Sequence, residues 1–218
     1  VDWKNTSGFG KEGQPPLVLF YTAAGNPTVQ CLAYSTDGRN FTKYASNPII
    51  KQVTPGKRDP KVIWHEPTKQ WVMALYLDGS DFALFGSQNL TAWTKLSDVP
   101  LPGSSGCPDC FELPVDGDAT KSKWLFWGGN GSYRLGTFDG TTCQPETDSL
   151  QSRWGANDYA AQTYSDIPLT DGRRIQIAWM NGASYPGMPF NQQMSFPVEL
   201  TLHNTPAGIQ MYREPIAE

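Results

Sequence analysis

The sequence predicts an all-β fold assembled from four-stranded units, and three observations predict it. Short acidic segments recur at a near-constant interval: Arg58-Asp59-Pro60-Lys61-Val62, Cys107-Pro108-Asp109-Cys110-Phe111 and Asn157-Asp158-Tyr159-Ala160-Ala161, whose aspartates stand 50 and 49 residues apart. A second register falls between them, at Ser35-Thr36-Asp37-Gly38, Ser87-Gln88-Asn89-Leu90 and Thr137-Phe138-Asp139-Gly140, spaced by 52 and 50 residues. Apolar segments of strand length alternate with turn residues, and long helical periodicity is absent. A period near 50 residues carrying several short strands is the mark of a β-propeller. In that architecture the first strand of each unit lines a central channel. The repeated acids are therefore expected to converge on one axial pocket, which points to chemistry rather than architecture.

The elements run in order along the chain. A leading fragment spans residues 1–13. Pro15 to Ala24 reads as an apolar strand, and Thr28 to Tyr44 as two more, joined by the turn at Asp37-Gly38. Pro60 to Trp64, Trp71 to Leu77, Phe82 to Gly86 and Trp93 to Leu96 form a set of four, punctuated by Glu66-Pro67-Thr68-Lys69 and Asp78-Gly79-Ser80. The third set is Asp109 to Val115, Lys123 to Trp127, Ser132 to Phe138 and a weak strand after Thr141. Tyr159 to Asp166, Arg174 to Met180, Met194 to Leu202 and Ile209 to Tyr212 form the fourth. About four units are therefore expected in one domain, with no linker or low-complexity tract to divide them.

Composition narrows the function classes. The 218 residues include eight Trp, nine Tyr and ten Phe, a content that suits a β-protein and also sugar binding, and 21 Gly and 18 Pro suit a fold with many turns. A net charge of −4, with no cluster of Lys or Arg, argues against a nucleic-acid partner. No apolar run approaches a membrane span, so no membrane partner is expected. No secretory leader is visible, and Val1 reads as the middle of a protein rather than a natural start.

The four cysteines are Cys31, Cys107, Cys110 and Cys143. Cys107-Pro108-Asp109-Cys110 has the spacing of half a zinc site or of a redox pair. Zinc needs a second pair, and the chain's two histidines, His65 and His203, stand in no ligand motif. A redox motif needs a helix start near a βαβ unit, which the pattern lacks. Structural thiols or one disulfide remain the simpler reading. Sequons at Asn5, Asn40, Asn89 and Asn130 matter only in a eukaryotic secreted protein.

The ordered segments resemble glycoside hydrolase family 32, the β-fructofuranosidases that include invertases, levanases and exo-inulinases. Val1-Asp2-Trp3-Lys4-Asn5-Thr6-Ser7-Gly8-Phe9-Gly10 is similar to the segment immediately C-terminal to the family's F-S-G-S motif, and Arg58-Asp59-Pro60 matches its R-D-P motif. Cys107-Pro108-Asp109 matches the tail of E-C-P-D, Tyr159-Ala160 the Y-A motif, and Trp179-Met180 the W-M motif. Met194 to Leu202 resembles the strand that closes the family's catalytic domain. R-D-P alone is a weak signal; the set, in this order and at these intervals, is specific.

The resemblance implies a five-bladed propeller, usually followed by a β-sandwich. Residues 1–218 would then be a single N-terminal propeller domain holding about four blades, incomplete at its N-terminus and without the sandwich. It implies retaining hydrolysis of terminal β-fructofuranosyl linkages in fructans or sucrose-like sugars. That chemistry uses a carboxylate nucleophile and a carboxylic acid roughly 5–5.5 Å apart, the acid's pKa being raised. Asp59 inherits the role of transition-state stabiliser. Arg58, Asp109, Tyr159 and Trp179 are the expected substrate-binding residues, the planar donors of Arg58 suiting a carboxylate or sugar partner. For Asp109, a bond to exposed backbone amides is an equal alternative. Trp64, Trp71, Trp93 and Trp124 are expected to pack between blades. No metal or cofactor is implied, and the compartment would be extracellular or periplasmic, since polymeric fructans do not enter a cell intact.

Two departures stand out. The family's N-D-P-N-G nucleophile motif has no counterpart, and Gly106 occupies the position of the acid/base glutamate. Glu112 lies six residues further along an extended strand, about 20 Å away, too far to act on the same bond. The chain is thus expected to be a partial or impaired form of the hydrolase. The alternative is a non-catalytic fructan-binding propeller. An arabinan-degrading relative is disfavoured by Arg58-Asp59-Pro60-Lys61-Val62 and Trp179-Met180-Asn181. A protein-interaction propeller is disfavoured by the period, which is usually nearer 40–45 residues in that class.

Overall fold

The computed structural model describes residues 1–11, 13–51 and 53–216, so Glu12 of the leading fragment lies outside the described residues. Among them every regular element is a strand, sixteen in all. The chain divides into two compact units, Val1–Pro100 with Phe138–Cys143, and Leu101–Thr137 with Gln144–Glu218.

In the first unit β1 (Leu17–Ala23), β2 (Val29–Ser35) and β3 (Thr42–Lys43) form an antiparallel sheet in chain order. β4 (Arg58–His65), β5 (Gln70–Asp78), β6 (Asp81–Ser87) and β7 (Thr94–Pro100) form a four-stranded meander. The two central strands of that meander are buried on both faces, from Val72 to Leu77 and from Phe82 to Ser87. Their nearly continuous apolar runs reflect this. Met73, Leu75, Leu77, Ala83 and Phe85 build the core with Ile50, and Phe20 of β1 packs on it, its ring edge-on to Trp93 at 5.9 Å. The leading fragment is tied down by the buried Asp2 carboxylate, which accepts from the amides and hydroxyls of Thr6 and Ser7. Trp71 in turn donates its indole N–H to the Thr6 hydroxyl.

In the second unit β8 (Asp109–Val115), β9 (Asp118–Trp127), β10 (Ser132–Phe138) and β11 (Cys143–Pro145) run in chain order, with the short β12 (Leu150–Gln151) also pairing with β10. β13 (Asp158–Thr163), β14 (Ile175–Met180), β15 (Val198–Thr205) and β16 (Gly208–Pro215) form a further meander. The two sets join as one nine-stranded sheet through a single parallel pairing of Leu202 with Val115. Phe111, Leu113, Leu125, Trp127, Leu135, Leu200 and Leu202 fill the core. There the buried Tyr133 hydroxyl accepts from the Met211 amide at 3.0 Å.

The expected strand sets are thus present as three, four, four and four strands, β12 being extra. The first set lacks a fourth strand among the described residues; Ile50 contributes only a bridge to Gln30. β15 begins at Val198 rather than Met194 because Pro197 has no N–H to give the ladder. Met194 keeps an isolated bridge to Trp179.

The second sequence register resolves into one repeated turn. The Asp37 carboxylate accepts from the amides of Arg39 and Asn40, Asn89 Oδ1 from those of Thr91 and Ala92, and Asp139 from those of Thr141 and Thr142. Each is an Asx turn, in which a short polar side chain satisfies amides that the chain reversal strands. Ser35 and Ser87 reinforce the first two from two residues upstream. The amides of Asn40 and Arg39 hold the Asp37 carboxyl far below its usual range, and those of Thr142 and Thr141 hold Asp139 below it.

A carboxylate depressed in the folded state contributes stability above its unfolded pKa of about 4, and that contribution is lost as pH falls through the lower folded value. Replacing both Asp37 and Asp139 by Asn should keep the turns, as Asn89 does naturally, and weaken the acid dependence. Urea midpoints measured from pH 6 to pH 2 should fall less in Asp37→Asn/Asp139→Asn than in the unmodified protein. An equal fall would show that these turns do not carry the acid sensitivity.

Candidate active site

In the first unit, Arg58 and Asp59 open β4 at a bulge. β4 advances three residues, Arg58 to Lys61, while β5 advances two, Tyr76 to Ala74. Asp59 takes the extra position with φ of +63°, left-handed backbone that costs a non-glycine residue about 1–2 kcal/mol. Aspartate is among the side chains that tolerate it best. The Arg58 guanidinium lies over the Tyr76 ring at 4.6 Å, with Nε 3.5 Å from Asp59 Oδ2. Both side chains stay accessible, at 47% and 33% exposure, so the pair presents a carboxylate and a planar donor set to solvent. The Asp59 amide leaves the ladder and donates to Thr22 Oγ1 at 3.1 Å.

The second unit repeats the device. β13 advances from Tyr159 to Gln162 while β14 advances from Trp179 to Ile177, and Ala160 takes the bulge at φ of +54°. Strand pairing sets Tyr159 opposite Trp179, their rings edge-to-face at 6.2 Å, with Trp179 37% exposed. Such an accessible pair offers one flat face and one hydroxyl to a ligand. Beside it, the Asp158 carboxylate pairs with Arg213, whose guanidinium also faces the Trp127 ring.

A short main-chain relay connects the remaining expected positions. Gly129 N donates to Gly106 O at 2.9 Å, and Ala160 N donates to Gly129 O at 2.7 Å. Gly106, the position matched to the acid/base glutamate, is buried with φ of +64° and thus lies two main-chain hydrogen bonds from Ala160. The turn between β9 and β10 is tight here: a Cβ on Gly128 would fall 1.7 Å from Ser104 Oγ. Gln162 Nε2 donates to the carbonyls of both Cys107 and Pro108 at 3.1 Å.

Asp109 is 1% exposed, and its Oδ2 accepts from the Thr163 amide at 2.8 Å and the Thr163 hydroxyl at 2.9 Å. The backbone-amide alternative for Asp109 is therefore realised in the geometry. Arg174 lies with its guanidinium 5.1 Å from the Phe111 ring centre. Burial pushes its pKa down, against the charge of Asp109. Glu112 is exposed and receives the Ser122 hydroxyl, as an ordinary residue of the solvent face of β8. All four cysteines are free thiols, with Cys31 and Cys110 buried. Among the described residues no group of three or more His, Cys, Asp or Glu side chains could hold a metal ion. A cleft of about 540 Å³, bordered by Gln151, Trp154, Gln210, Tyr212 and Arg213, lies apart from these residues.

Within the second unit the structure thus gathers position 106, Asp109, Tyr159 and Trp179, and within the first it couples Arg58 to Asp59. Sequence reasoning missed Thr22, Gln162, Thr163 and Arg213, which hold these groups from other strands. Polar residues at the ends of apolar strands, such as Thr22 in Leu19-Phe20-Tyr21-Thr22, are the only signal that points to them.

Asp109→Ala would leave the Thr163 amide buried without its acceptor and should cost about 1–3 kcal/mol in urea unfolding. Asp109→Asn, which keeps a carbonyl oxygen, should cost clearly less. Equal losses for both would mean that charge, rather than the Thr163 contact, sets the contribution of Asp109.

Residues 4–215 match the glycosyl hydrolases family 32 N-terminal domain. A levanase of Bacillus subtilis (strain 168) is 41% identical over 245 residues, covering all of this chain and 36% of the levanase. The exo-inulinase of Aspergillus awamori superposes with a TM-score of 0.87 at 28% identity, over 98% of this chain and 51% of that one. A fructofuranosidase from Schwanniomyces occidentalis complexed with fructose superposes with a TM-score of 0.88 at 29% identity, over the full chain and 48% of that protein. The chain thus spans between about a third and a half of the length of these relatives. The match along almost its whole length, with an all-β fold to go with it, makes this chain a member of glycosyl hydrolase family 32.

Proposed function

We propose that this protein recognises a terminal β-fructofuranosyl unit of a fructan or sucrose-like sugar, as part of a glycosidase that cleaves that linkage with retention. The observation that carries the reading is the accessible Arg58–Asp59 pair, set at a strand-opening bulge in a family 32 chain. We further propose that each meander is one blade of a five-bladed β-propeller, about four of which this chain supplies as a single domain; the 50-residue repeat supports this.

Retaining cleavage proceeds through an oxocarbenium-like transition state and a covalent fructosyl–enzyme intermediate. The Asp59 carboxylate would accept hydrogen bonds from fructosyl hydroxyls and oppose the positive charge that develops at the anomeric carbon, favouring the transition state over the ground state. Arg58 would orient that carboxylate or donate to the sugar. Tyr159 and Trp179 would stack on apolar C–H faces of a sugar. Asp109, on this reading, serves substrate binding through the chain segment it braces. The chemistry draws on carboxylates and calls for no cofactor. The relatives include proteins named extracellular exo-inulinases, which favours an extracellular or periplasmic site of action.

The second reading is a binding module without turnover, and Gly106 favours it. Glycine offers no proton to a departing glycosidic oxygen, and φ of +64° there suits glycine better than glutamate.

Calorimetric titration with fructose and a short fructan should give saturable binding that Asp59→Ala abolishes. Absence of binding, or equal binding by Asp59→Ala, would defeat the proposal. In the full-length protein, Gly106→Glu should raise fructose release from sucrose or inulin if hydrolysis is the function. Tighter binding without release would assign the protein to recognition alone.

A further inference from the structure

Thr22 belongs to no motif, yet it stands at the junction between the core of the first unit and Asp59. It lies opposite Gln30 in the β1–β2 ladder. Its hydroxyl oxygen receives the Asp59 amide at 3.1 Å and lies 2.8 Å from Gln30 Oε1. A hydroxyl has one proton to give. Because the Asp59 N–H can only donate, the Thr22 proton must go to Gln30, which fixes the Gln30 carbonyl toward Thr22. Gln30 is fully buried, and its main chain is bonded to Ile49 and Ile50. The relay therefore runs from a rigid interior residue to the one backbone amide that the β4 bulge removes from its ladder.

That amide belongs to a residue at φ of +63°. Rotation about the N–Cα bond back to the ordinary extended range would relieve about 1–2 kcal/mol and swing the carboxylate to a new direction. Something must oppose this relaxation, and a hydrogen bond to a fixed hydroxyl is of the right size to do so.

We infer that Thr22, backed by Gln30, is a positioning residue that holds Asp59 in its left-handed conformation and thereby sets the direction of its carboxylate. The consequence for sugar binding rests on the proposed role of Asp59; the consequence for the Asp59 backbone does not.

Thr22→Val keeps the β-branched shape that suits the strand and removes only the hydroxyl, while Thr22→Ser keeps the hydroxyl. Amide exchange at Asp59, followed by NMR, and calorimetric fructose affinity give two separate readouts. Thr22→Val should speed Asp59 exchange and weaken fructose binding, each about tenfold, and Thr22→Ser should retain both. Unchanged exchange in Thr22→Val overturns the relay. Faster exchange with unchanged affinity overturns its positioning role. Should the unmodified protein bind no fructose, the fructoside reading fails, while the exchange measurement still decides whether Thr22 holds Asp59. A Thr22→Ser variant as impaired as Thr22→Val in both readouts would reduce the residue to packing and refute the inference.

Discussion

The interaction on which the candidate site depends is a side-chain hydrogen bond to main chain at the opening of a strand. At Asp59 and at Ala160 the chain takes a left-handed residue into an otherwise extended strand, and the bulged amide leaves its ladder. A peptide N–H without a partner costs more than the bond it would make contributes, so each bulge persists only where a neighbour supplies an acceptor. Thr22 supplies it for Asp59, and the carbonyl of Gly129 supplies it for Ala160. The polar side chains beside these bulges are held in place by backbone geometry, so the burial of the core strands is converted into direction at the surface.

Two aspartate repeats share one period yet do opposite things. Those at Asp37 and Asp139 turn inward on their own amides and close chain reversals; their low pKa values reflect that work, and Asn89 does the same without charge. Those at Asp59, Asp109 and Asp158 open strands, and their environments diverge. Asp59 remains accessible, Asp109 is spent on Thr163, and Asp158 on Arg213. A common position in the repeat therefore fixes a location without fixing a role. Which aspartate can face a ligand depends on the residues that come from other strands.

Much of the fold was legible because strands with turn chemistry between them are set by local sequence. β8 and β10 lie where their apolar runs begin and end, and the Asx register announced the turns. The illegible part depends on pairing across long separations. The bridge of Leu202 with Val115 joins residues 87 positions apart. β12 is two residues long and carries no pattern of its own. The choice between sugar contact and backbone contact for Asp109 turned on Thr163, 54 residues away, which no motif identifies.

Gly106 sharpens the question of chemistry. Loss of a catalytic side chain ordinarily releases the constraint on its surroundings, and the local backbone is free to drift. Here the backbone around position 106 is tied from several sides. Gly129 bonds to its carbonyl, Gln162 grips the next two carbonyls, and Ser104 occupies the space that a side chain on Gly128 would need. The scaffold of the position is built although its proton donor is missing. A site with shape and aromatic faces but no acid keeps the part of the free energy that comes from recognition and gives up the part realised only in the transition state. Affinity and turnover are therefore separable in this chain, with Asp59 governing the first and position 106 limiting the second.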